Sequence, residues 1–202
     1  MFIDEVNKIK SVQNITDYSA YLDDVIDWNR TCEAEPPTLE KQMRLVKEEA
    51  AELFEAFDEG NIQNFFKELC DLFVTAGYAS VVKYNETTAT TCYQDDIEYI
   101  LSCIEDIVFE GNAVRAFDLT LQLMNSVNQE ALHKTMNAVL RSNWSKIFPV
   151  GEADDELRFA KVGYLGRYEG IYVQHKESGC VLKDKNGKVL KPSSYKSYEE
   201  YL

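Results

Sequence analysis

Residues 38–60, TLEKQMRLVKEEAAELFEAFDEG, followed by 62–84, IQNFFKELCDLFVTAGYASVVKY, decide how this chain folds. In the first stretch Leu39, Met43, Val46, Ala50, Leu53 and Phe57 recur at alternating steps of four and three, the rhythm of one helix face. Pro36-Pro37 precedes it, Thr38 stands where an N-cap belongs, and Gly60-Asn61 stops it. In the second stretch Phe65, Leu69, Leu72, Ala76 and Ala79 keep the same rhythm until it lapses at Lys83. The spacing therefore predicts two successive helices, about 39–59 and 62–84, reversed at a tight turn and packed antiparallel.

Working outward, a helix is expected over about 16–33, starting at Thr16 or Asp17 and carrying Tyr18, Tyr21, Leu22, Val25, Ile26 and Trp28. A Thr-rich loop at 85–91 is followed by helical patterns at about 93–110, 113–127 and 129–147, the last ending before Pro149. Beyond that the texture changes. GIYVQHK (170–176) and CVLKDK (180–185) read as short strands joined by Glu177-Ser178-Gly179, and Asn186-Gly187 signals a two-residue hairpin turn. The expected fold is mainly α: an antiparallel helix bundle over 1–148, with a β-hairpin-containing C-terminal appendage over 149–202.

The composition narrows the function. The chain has 202 residues, with 21 Lys+Arg against 35 Asp+Glu and a formal charge of -14. Residues 151–202 hold nine of each sign, so the whole imbalance lies in residues 1–150. Such a surface does not grip duplex DNA, where clustered cations are needed. No apolar run reaches the roughly 18 residues of a membrane span, and MFIDEVNKIK lacks a signal-peptide profile. The five cysteines form no CxxC pair and read as reduced thiols of a cytoplasmic protein.

The chemistry-bearing pattern is acidic. KEEAAEL places Glu49 and Glu52 three residues apart on one face, and KELCDLF does the same with Glu68 and Asp71. Each carboxylate precedes a core residue, so all four lie on the shoulder of the apolar stripe and not opposite it. Four converging carboxylates repel unless protons or cations intervene, and all-oxygen ligation suits Mg²⁺, with Mn²⁺ as a substitute. A second motif, Glu130 with His133, would need another copy to build a di-iron site, and His175 supplies none.

The paired ExxE and ExxD resemble those of the all-α nucleoside triphosphate pyrophosphohydrolases, the MazG-like group. RSNWSKI (141–147) is similar to the RSNMSK signature of its short, often phage-encoded members, and GKVLKPSSY (187–195) to their GKVxKP…Y segment. The likeness covers about 16–84, 129–148 and 187–202; the helices within 93–127 and the region 149–186 read as insertions. Ala138, Leu140 and Trp144 depart from the group's usual Glu, His and Met.

The resemblance implies that Glu49, Glu52, Glu68 and Asp71 hold Mg²⁺. It also implies that Glu49 or Glu52 takes a proton from water, and that a (deoxy)nucleoside triphosphate is cleaved to monophosphate and pyrophosphate. Arg141, Asn143, Lys146, Lys191 and Tyr195 would contact phosphates as the basic tail closes over the site. Base recognition needs an aromatic platform, for which Trp28 and Trp144 are the candidates, and Tyr78 on the acidic shoulder is a further candidate for substrate contact. Lys183, Lys185 and Lys196 read as a solvated basic tail. A homodimer or dimer of dimers is implied as well, in the host cytoplasm if the chain is phage-encoded. The competing expectations are a non-catalytic acidic interaction module and an inactive relative with an intact metal site.

Overall fold

A computed structural model of the protein describes residues 18–33, 36–84 and 96–202. The expected start of the first helix at Thr16 or Asp17, the loop 85–91, the helix start near 93 and Cys92 lie outside the described residues. Seven α-helices lie among those described: α1 (Ser19–Cys32), α2 (Leu39–Asp58), α3 (Ile62–Tyr84), α4 (Ile97–Glu110), α5 (Ala113–Ser126), α6 (Gln129–Trp144) and α7 (Ala153–Gly163). Four short strands follow α6: β1 (Ile147–Phe148), β2 (Tyr172–Lys176), β3 (Gly179–Lys183) and β4 (Val189–Leu190). The chain is mainly helical with a small antiparallel sheet toward its C-terminus. It divides into two compact units, Met1–Ile26 with Glu35–Asn137, and Asp27–Ala34 with Ala138–Leu202.

In the first unit the helix ends are written into the sequence. Thr38 keeps an extended backbone, and its hydroxyl accepts from the Lys41 N–H at 3.2 Å, satisfying one orphan donor of α2. Gly60, at φ 66°, then closes the helix, and Asn61 Oδ1 opens α3 by accepting from Asn64 N. The same Gly-Asn pair works again between α4 and α5, where Gly111 sits at φ 77° and Asn112 accepts from Arg115 N. One glycine ends a helix and the adjacent asparagine begins the next, so the first reversal needs three residues (59–61) and the second two (111–112).

Helix α3 departs from the one-sided stripe. From Phe65 to Ser80 every residue is buried except Lys67, Asp71 and Thr75, which are half-buried at steps of four. A helix enclosed on nearly all sides is the central member of its layer. Phe65, Leu69, Leu72 and Phe73 have no exposed surface, and each side chain contributes roughly 1.5–3 kcal/mol by leaving water. Gln42 ties α2 to α3 by donating to the Thr75 carbonyl at 3.2 Å. A Cβ on Gly77 would stand 2.9 Å from Leu22 Cδ1 and 3.2 Å from Phe117 Cε2, so the bare backbone there lets α1 and α5 close in. His133 Nδ1 lies 2.9 Å from the Tyr21 hydroxyl, a structural pairing within the same unit.

The second unit is built around β3, buried along its whole length. Antiparallel β2 covers one edge from Tyr172↔Lys183 to Lys176↔Gly179, while β1 and β4 share the other. Gly179 is required: an added Cβ would meet Ile147 Cγ2 at 2.8 Å and the Phe148 carbonyl at 2.9 Å. Phe148, Ala153, Ala160, Cys180, Leu182 and Leu190 form the core, with Tyr164, Tyr168 and Val173 packed around it.

Several expectations are corrected here. Helix α6 stops at Trp144 and Ile147-Phe148 turns into a strand. A further helix, α7, lies in the region expected to be a β-hairpin-containing appendage, where the sequence reading places no helix. The Asn186-Gly187 turn is not centred on those two residues. Asp184 N donates to Lys188 O, Gly187 N donates to Asp184 O, and Gly187 adopts φ 78°, giving a three-residue loop with a left-handed last residue. The Asp184 carboxylate decides this by accepting from both Asn186 N and Lys188 N. Among the described residues no helix is long and apolar enough to cross a membrane.

Candidate metal centre

Because α2 and α3 run as neighbours with their shoulders facing, Glu49 from α2 meets Glu68 and Asp71 from α3. One carboxylate oxygen of each lies within 4.8 Å of the others. Glu68 is buried, whereas Glu49 and Asp71 are half-buried. Glu52 is exposed and stands outside this trio, though its charge still acts on Glu49 and Glu68. Three of the four expected ligands therefore converge, and the fourth lies at the rim.

The electrostatics follow from that convergence. Burial, followed by the charges of Asp71 and Glu52, pushes the Glu49 carboxyl from 4.5 up to about 8. Burial also raises Glu68, opposed by the hydrogen bond and charge of Lys67. Lys67 donates to Glu68 Oε1 at 2.7 Å and pairs with Asp71 Oδ2 at 2.9 Å. Burial acts to lower its pKa, but Asp71 and Glu68 outweigh that and hold the ammonium above its ordinary value. Lys67 is the site residue that sequence reasoning missed; its place four residues before Asp71 was the available signal. Cys70, between the two α3 acids, is fully buried with its thiol pushed well up, so it offers no thiolate.

The donor set fits a hard divalent cation. All three groups offer carboxylate oxygen. Glu68 Oε2 is buried and has no hydrogen-bond partner among the described residues, an arrangement that costs free energy unless a ligand completes it.

The second unit holds the expected phosphate contacts together with Trp28. Trp28 Nε1 donates to the Asn143 carbonyl at 2.8 Å, and Lys146 Nζ donates to Asn143 Oδ1 at 2.7 Å while lying 5.3 Å from the Trp28 ring centre. Ser142 Oγ lies 2.9 Å from the Tyr195 hydroxyl and donates to the Lys196 carbonyl, which joins RSNWSKI to the C-terminal segment. Lys191 Nζ sits 4.4 Å over the Tyr195 ring, and the exposed Arg141 guanidinium 4.7 Å over that of Tyr201. Ser142 was not singled out from the sequence, although it stands inside the motif.

Tyr78 is only 4% exposed and belongs to the core of the first unit, not to an open surface. Lys183 is no solvated tail residue: it is 2% exposed and ion-paired to Glu33 at 2.8 Å. Ala138 and Leu140, where the MazG-like pattern carries Glu and His, are buried.

Comparison with protein-family models, curated proteins and solved structures finds no match to this chain.

Proposed function

We infer that the protein is a divalent-cation-dependent hydrolase that cleaves a (deoxy)nucleoside triphosphate between the α- and β-phosphates. Water adds to the α-phosphorus, and the products are the monophosphate and pyrophosphate. The observation that carries the reading is the trio Glu49, Glu68 and Asp71, with Glu68 Oε2 buried and unpartnered among the described residues. Those three carboxylates would hold Mg²⁺ or Mn²⁺, which supplies Lewis acidity toward phosphate oxygens and lowers the pKa of a bound water.

The chain's own contribution is a carboxylate poised for proton transfer. Without a cation, burial and the neighbouring acids hold Glu49 at about 8 and mostly protonated at neutral pH; a dication would favour its ionised form, the form able to accept the water's proton. Glu52, exposed at the rim, is the alternative acceptor. The MazG-like motif match supports the choice of substrate. It brings in Arg141, Asn143, Lys146 and Lys191 as phosphate donors, each testable by an Ala variant expected to raise KM. It also carries the expectation of a homodimer or dimer of dimers, which light scattering checks.

The deciding experiment is anion-exchange analysis of products with Mg²⁺ against each common NTP and dNTP. Monophosphate plus pyrophosphate, lost in Glu68→Gln, is the expected result. Intact nucleotides throughout, with Mn²⁺ as well, would replace this reading with a non-catalytic acidic module or an inactive relative.

A further inference from the structure

We propose that Lys67 is the resting counter-ion of the three-carboxylate centre, so that a divalent cation binds there by exchange with the Lys67 ammonium. This rests on the metal reading of the site given above. Nζ already occupies Glu68 Oε1 at 2.7 Å and Asp71 Oδ2 at 2.9 Å, bonding one oxygen on each of two intended ligands. A hard cation needs carboxylate oxygens at roughly 2.0–2.6 Å. The ammonium and a dication therefore compete for the same two carboxylates, and their like charges oppose joint occupancy.

The resting site is incompletely compensated. One ammonium faces three carboxyl groups, and Glu68 Oε2 stays unpartnered among the described residues. A dication can satisfy what the single ammonium leaves open. Lys67 also has room to leave: its side chain is 26% exposed, and it stands on the one half-open stripe of α3 beside Asp71, itself 23% exposed. Its four-carbon stem lets the ammonium turn outward without moving the helix. Once displaced, it remains tethered one residue from Glu68 as a donor for an anionic ligand at the mouth of the site. Affinity for the cation is thereby set by the chain's own competing charge as well as by its ligands.

The test is Mn²⁺ binding at pH 8, measured by the loss of the free-ion spin-resonance signal, on the full chain and on Lys67→Met, Lys67→Gln and Lys67→Arg. Removing the competitor in the Met and Gln variants should tighten Mn²⁺ binding about tenfold, the equivalent of one charged hydrogen bond pair. Lys67→Arg, which keeps the charge, should stay near the parent affinity. Gln retains a donor and guards against a Met variant that fails to fold. Equal or weaker binding in the Met and Gln variants, with the parent binding Mn²⁺, overturns the exchange and leaves the metal reading standing. Absence of Mn²⁺ binding in the parent and all variants overturns both.

Discussion

Replacing Glu49 with Gln tests the electrostatics of the centre without any assumption about substrate. In the folded protein the Glu49 carboxyl titrates at about 8, against 4.5 for the free group. Between those values the folded state holds a proton that the unfolded state has lost. Stability from this group is therefore greatest at and below pH 4.5 and drains away as pH rises to about 8. At 1.36 kcal/mol per pH unit the full gap is worth at most about 5 kcal/mol. Glu49 is half-buried and shares its surroundings with Lys67, so roughly 1–3 kcal/mol is expected. Gln mimics the protonated form and removes the penalty.

In EDTA, Glu49→Gln should match the parent near pH 4.5 and exceed it at pH 8.5 by about 2–10 °C in Tm. Mn²⁺ should then restore the parent at pH 8.5 and leave the variant nearly unchanged. The assay is thermal melting across pH, with and without the cation. A variant no more stable than the parent at pH 8.5 in EDTA would mean that Glu49 is ionised and satisfied, and the reasoning would fail.

Three further outcomes follow from the geometry. Gly179→Ala should cost at least about 2 kcal/mol, because the new Cβ meets the Phe148 carbonyl at 2.9 Å at a φ of 147°; the urea midpoint reads this directly. Glu33→Ala leaves the 2%-exposed Lys183 without its carboxylate and should cost about 3–5 kcal/mol by chemical denaturation. Adding Lys183→Met should recover most of that loss. Asn61→Ala removes the cap of α3 and should cost about 1 kcal/mol, again by chemical denaturation, with no effect on Mn²⁺ binding.

Much of the first unit was legible because its signals are local. Thr38, Gly60 and Asn61 mark helix ends by their own backbone chemistry, and the four-three rhythm of α2 needs no knowledge of neighbours. The acid spacing likewise placed Glu49, Glu68 and Asp71 correctly on facing shoulders. What escaped depends on packing from other elements. Helix α7 hid because its amphipathicity is inverted: Ala153, Glu156 and Ala160 face inward, while Phe159 and Val162 are 48% and 75% exposed. Buried Glu156 accepts from both the N–H and the hydroxyl of Ser193, far along the chain. Lys183 looked solvated for the same reason, since its partner Glu33 lies 150 residues away in sequence.

The single open stripe of α3 also bears on how such a protein can diverge. Between Phe65 and Ser80 only positions 67, 71 and 75 can change chemistry without repacking neighbours. Glu68 lies behind that stripe, so a substitution there alters the carboxylate cluster and the hydrophobic layer in one step. Related chains should therefore vary at positions 67, 71 and 75 first. Position 68 would hold until the surrounding helices had changed with it.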